Sequence, residues 1–106
     1  GREMIDRGVE VAIATDFNPG SSPTQNLPLM GTMAITRMGM TPPEALRAMT
    51  LGGAKSLGRE KDIGSIEVGK RGDFAILNTS DYRSLFYSFG VNQVAMVIKD
   101  GDLVEP

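Results

Sequence analysis

Residues 9–15, Val-Glu-Val-Ala-Ile-Ala-Thr, narrow what this chain can become more than any other stretch. They are β-branched or small and nearly all apolar apart from Glu10, and polar turn formers follow at once. A short run of this kind reads as a buried strand, and burial on both faces is the mark of a parallel sheet. The residues before it carry Met4 and Ile5 and end on Gly8, which suits the last turns of a helix with glycine closing its C-terminus. Helix, turn and strand in that order are half of a repeating α/β unit, cut through at its start.

The segment Asp16-Phe17-Asn18-Pro19-Gly20-Ser21-Ser22-Pro23-Thr24 is a loop of turn formers. The apolar spacing then predicts a helix over 25–38, with Pro28 in its first turn, where a missing N–H costs little. Thr41-Pro42-Pro43-Glu44 forms a capping box with proline at the first helical position. That helix carries Ala45, Leu46, Ala48 and Met49, is interrupted by Gly52-Gly53, and is followed by a shorter one over 54–57 ending at Gly58. Beyond Gly58 the character changes. Ile63, Ile66 and Val68, and then residues 73–78, read as short strands joined by turns at Gly64, Gly69 and Gly72. Residues 91–104 read as a hairpin, with Val94, Met96 and Ile98 on one face and Asp100-Gly101 as its two-residue turn. The aromatic stretch 80–90 reads as a connection packed onto the sheet. The expected division is therefore 1–58, α/β and helical, and 59–106, a small β module.

Composition limits the chemistry. The chain has 106 residues with neither cysteine nor histidine, so disulfides, thiolate metal sites and imidazole bases are all excluded from it. Hydrolytic chemistry here must use carboxylates or borrow groups from elsewhere. A net charge of −2 leaves no broad basic footprint, so nucleic acid is not an expected partner. No apolar run approaches the ~20 residues that span a bilayer, and the N-terminus lacks a signal-peptide pattern. Neither membrane association nor secretion is expected, and a cytoplasmic location is the simplest reading.

The leading candidate site is the loop that opens with Asp16. Sheets with parallel strands place their chemistry at the strands' C-terminal ends, and Asp16 lies at such an end. There an ionised carboxylate can bind a metal or take up a proton, or it can simply initiate the turn. Asn18, Gly20 and Ser21 carry the same two readings: amide, hydroxyl and backbone N–H groups near a helix start suit a carboxylate ligand, and they equally suit a capped helix entrance. Three other patterns carry little. Arg71-Gly72-Asp73 is a turn before a strand, Asn78-Thr79-Ser80 matters only in a secreted chain, and Gly52-Gly53 lacks both the preceding strand and the Gly-Lys-Ser/Thr of a phosphate loop.

The stretch from Ala14-Thr15-Asp16-Phe17-Asn18-Pro19-Gly20-Ser21-Ser22-Pro23 resembles the last strand and loop of the imidazolonepropionase family of amidohydrolases. Met40-Thr41-Pro42-Pro43-Glu44-Ala45-Leu46 and Gly52-Gly53-Ala54-Lys55-Ser56-Leu57-Gly58 are similar to the helices that follow that strand. Residues 63–77 resemble the segment returning amidohydrolase chains to their small β domain, and Phe89-Gly90-Val91-Asn92-Gln93-Val94 with Ile98-Lys99-Asp100-Gly101 fits the family's C-terminal end. The resemblance implies an α/β plus β fold: the last strand and helix of a (β/α)8 barrel over 1–58, then the C-terminal part of a small β-sandwich over 59–106. It implies hydrolysis of 4-imidazolone-5-propanoate to N-formimidoyl-L-glutamate in histidine degradation, with one zinc or iron ion held largely by histidines outside this chain. Asp16 is then metal ligand and general base, and Asn18, Gly20 and Ser21 contact substrate or product. The expected partners are a small-molecule substrate, the remainder of the barrel and a second copy in a homodimer. Alone, the portion would be inactive. The competing readings are another cyclic amidohydrolase or aminohydrolase of the same superfamily, or a non-catalytic β module acting by self-association.

Overall fold

The structure, a computed structural model, describes residues 1–105; Pro106, the last residue of the expected β module, lies outside them. Helix α1 (Arg2–Asp6) ends as expected, with Gly8 at φ 76° and the N–H groups of Gly8 and Val9 closing on the carbonyls of Ile5 and Met4. Residues 9–15 then run extended but form no strand, which corrects the sequence reading. The physical reason is pairing. A strand exists through its ladder, and among the described residues this run is offered none. One of its N–H groups, that of Ile13, donates instead to the carbonyl of Ala48 at 3.1 Å. Exposure alternates along the run: Val11, Ile13 and Thr15 are half-buried, whereas Ala12 and Ala14 face outward.

Helix α2 (Leu27–Met38) begins two residues later than expected, capped by Asn26, and stops at Gly39 in the left-handed region. Helix α3 (Pro42–Arg47) has the predicted capping box: Thr41 Oγ1 accepts from Glu44 N–H, and Glu44 accepts from Thr41 N–H at 2.8 Å. Arg2 reaches across to grip both Glu44 oxygens at 2.9 Å, tying α1 to α3. The Gly52-Gly53 pair does not interrupt the helix. The chain instead widens into a π-helical turn (Ala48–Gly52) that runs directly into α4 (Gly53–Ser56), ending at Leu57 and the left-handed Gly58. Gly52 is needed there because a Cβ would lie 2.2 Å from the Val11 carbonyl oxygen. The buried centre is small: Ala34, Met40 and Ala48, with Ile5, Val11 and Ile13 packed against them.

The second half contains one antiparallel sheet in the order β1 (Phe74–Leu77), β2 (Val94–Lys99), β3 (Asp102–Val104). Phe74 pairs with Ile98 and Val97 with Val104. The β2–β3 turn is Asp100-Gly101, both at positive φ, as a type I′ turn requires. Two expectations fail here. Residues 63–72 form turns rather than strands, leaving Ile66 and Val68 exposed without a ladder partner among the described residues. The aromatic stretch packs chiefly on α2 rather than on the sheet, which it meets where Gln93 Nε2, just before β2, donates to the Ser84 carbonyl at 2.7 Å. Its short helix α5 (Ser84–Tyr87) buries Phe86 against Gly31, where a Cβ would sit 2.4 Å from the Phe86 ring.

Candidate active site

Asp16 follows the extended run at its C-terminal end, exposed and at a φ of 51°. Aspartate is one of the few side chains that tolerate this left-handed region, and such outliers gather at functional sites. The loop after it is held by its own side chains. Asn18 Nδ2 donates to the Asp16 carbonyl at 2.7 Å, and Asn18 Oδ1 accepts from Gly20 N–H at 2.9 Å and Ser21 N–H at 2.8 Å. Ser22 Oγ donates to the Thr15 carbonyl at 2.7 Å, and Asn18 N–H donates to the Ser22 carbonyl at 3.0 Å. Residues 15–22 are thereby drawn into a closed ring of hydrogen bonds. The Asp16 carboxylate takes no part in that ring; only its backbone carbonyl does.

The four residues singled out from the sequence are therefore brought together on one short loop. Asn18 organises it, Gly20 and Ser21 aim their N–H groups at one acceptor, and Asp16 stands beside them. Sequence reasoning gave Ser22 no role, although its hydroxyl closes the ring, and it missed Asn26, which caps α2 and donates to the Phe89 carbonyl at 3.0 Å. The signal for Asn26 was present: asparagine directly before Leu27-Pro28 is a helix start. The other carboxylate of the extended run, Glu10, is already engaged. Hydrogen bonds from Lys55 and then Arg47 hold its carboxyl below the ordinary range.

Among the described residues no three His, Cys, Asp or Glu side chains gather closely enough to hold a metal ion. Catalytic zinc sites use three protein ligands. The chain by itself does not fit a resident metal. Two shallow cavities, of about 150 Å³ beside Val9, Val11 and Met40 and about 300 Å³ beside Asn26, Phe89 and Val91, lie away from Asp16.

Comparison with known proteins gives this geometry its setting. The chain is 52% identical over 103 residues to the imidazolonepropionase of Geobacillus thermodenitrificans, covering 97% of this chain and 24% of that protein. It is 50% identical over 104 residues to the imidazolonepropionase of Brevibacillus brevis, covering 98% of this chain and 24% of that one. The solved structure of an amidohydrolase from Thermotoga maritima matches with a TM-score of 0.77 at 28% identity, over 98% of this chain and 25% of that chain. The chain thus spans about a quarter of the length of these relatives. With the Amidohydrolase family model matching residues 2–104, nearly the whole sequence, the chain belongs to the amidohydrolase family.

Proposed function

We propose that this chain is the C-terminal portion of a cytoplasmic imidazolonepropionase that opens 4-imidazolone-5-propanoate to N-formimidoyl-L-glutamate. In this reading residues 1–58 supply the last strand, loop and helices of a (β/α)8 barrel, and 59–106 supply C-terminal strands of a small β-sandwich. The observation that carries it is the 52% identity to an imidazolonepropionase across 97% of the chain. A zinc or iron ion, with its other ligands in the remainder of the barrel, would supply a water of pKa lowered toward ~7. Asp16 would be one of the residues that hold that ion, and its carboxylate would serve as the general base. Asn18, Gly20 and Ser21 contact the substrate's acidic side; the Gly20 and Ser21 N–H groups already point at one oxygen, Asn18 Oδ1 at 2.9 and 2.8 Å, and a substrate carboxylate would take that oxygen's place. The small-molecule substrate and the rest of the barrel are the partners this requires, and a homodimer is the assembly we assign to the complete enzyme.

The test is a chimera in which this chain replaces the matching segment of the G. thermodenitrificans imidazolonepropionase. Turnover of the imidazolone is expected. A folded chimera that opens other cyclic amides and leaves the imidazolone untouched would overturn the reading.

A further inference from the structure

We infer that Asn26 is a positioning residue for the 16–22 loop, acting by fastening the first turn of α2 to the segment that follows α5. The inference rests on the function proposed above. Asn26 works in three directions. Its Oδ1 accepts from Leu29 N–H at 3.0 Å and caps α2; its Nδ2 donates to the Phe89 carbonyl at 3.0 Å; its backbone N–H donates to Thr24 Oγ1 at 3.1 Å. Between Asn26 and the ring closed by Ser22 stand only Pro23, with its φ set by the pyrrolidine, Thr24, already hooked to Asn26, and Gln25. A shift of Asn26 therefore passes into Ser22 with few free torsions to absorb it.

Packing does not fix that first turn on its own. The cavity of about 300 Å³ lies there, lined by Asn26, Pro28, Phe89 and Val91 among others. Further along the same seam the contact is tight: Phe86 is 4% exposed over Gly31, and Thr32 Oγ1 lies 2.7 Å from the Phe86 carbonyl. The seam thus has a packed end at Phe86 and a hydrogen-bonded end at Asn26, and the hydrogen-bonded end adjoins the loop. Binding groups held to a fraction of an ångström depend on such supports.

Two variants of the chimera separate positioning from stability. Asn26→Ser keeps a capping oxygen for α2 but is too short to reach Phe89. Thr32→Val removes the polar link at the packed end. Asn26→Ser is expected to raise KM about fivefold, the scale of reordering a loosened loop on binding, and to lower kcat with it, because Asp16 belongs to the same loop. Amide exchange across 16–22 should quicken while that of α2 does not. Thr32→Val should lower Tm and leave both KM and loop exchange as they were. Loop exchange unaltered by Asn26→Ser, or equally quickened by Thr32→Val, would overturn the inference. A parent chimera that fails to turn over the imidazolone would sink the functional reading alone, because the exchange comparison still decides the role of Asn26.

Discussion

At the scale of single residues, the loop divides its labour between a carboxylate left free and an amide fully engaged. Asn18 can hold Gly20, Ser21 and the Asp16 carbonyl at once because a primary amide has an acceptor at one end and two donors at the other. Asp16 needs only a residue that accepts positive φ, and asparagine shares that tolerance. Asp16→Asn in the chimera is therefore expected to fold with an unchanged Tm and to lose about 10²- to 10⁴-fold in kcat, the usual worth of a general base. Parental turnover by that variant would return Asp16 to the role of turn former. Asp16 was legible in the sequence because a carboxylate after an apolar run is a local pattern. The bonding of Asn18 was not, since nothing in composition says which way an amide turns.

At the scale of elements, two features carry testable consequences. The π-helical turn brings Gly52 against the Val11 carbonyl, so Gly52→Ala must push the extended run away from the helix. A cost of about 1–3 kcal/mol is expected, read as a fall in the chimera's Tm. The second feature is the Arg2–Glu44 grip. Arg2 first, and then the Thr41 N–H, hold the Glu44 carboxyl down to about 2 from an ordinary 4.5. The folded form thus binds that proton less readily than the unfolded form, so the stabilisation is complete above pH 4.5 and fades as pH falls toward 2. Glu44→Gln keeps the acceptor of the capping box and cannot titrate. Its Tm should lie below the parent's at pH 6, and the gap should close between pH 4.5 and 2; a gap independent of pH would show that the grip contributes nothing. The capping box, the Gly8 and Gly58 helix ends and the Asp100-Gly101 turn were all legible because each is decided within four or five residues. The passage through Gly52-Gly53 was not. It depends on Val11, some forty positions away, demanding room that only glycine leaves.

For the molecule as a whole, the deciding quantity is how little is covered. Among the described residues the buried apolar ones are Ala34, Met40, Ala45, Ala48, Ala54 and Phe86, four of them alanines, while Val68, Tyr87 and Leu57 stand open. Burial of this extent contributes little against the entropy of ordering a hundred residues. The chain expressed alone is expected to melt broadly and to bind a hydrophobic dye, whereas the chimera should melt in one sharp transition. A cooperative melt by the isolated chain would establish it as a domain in its own right. The same shortage explains where sequence reading went astray: residues 9–15 and 63–72 have the composition of strands, and strand formation needs neighbours that this chain does not offer among its described residues.

The unpaired run at 9–15 also bears on solubility. Seven residues rich in valine, isoleucine and alanine, with main-chain groups other than the Val9 and Ile13 N–H and the Thr15 carbonyl left open, are a template for aggregation between copies. Charges near its two ends, Glu10 and Asp16, act as gatekeepers against that stacking. Glu10 is partly neutralised by Arg47 and Lys55, which leaves Asp16 as the more effective guard. A carboxylate proposed to act in the chemistry would thereby also keep nascent chains apart, and its replacement by asparagine should be judged on protein shown to be free of oligomers.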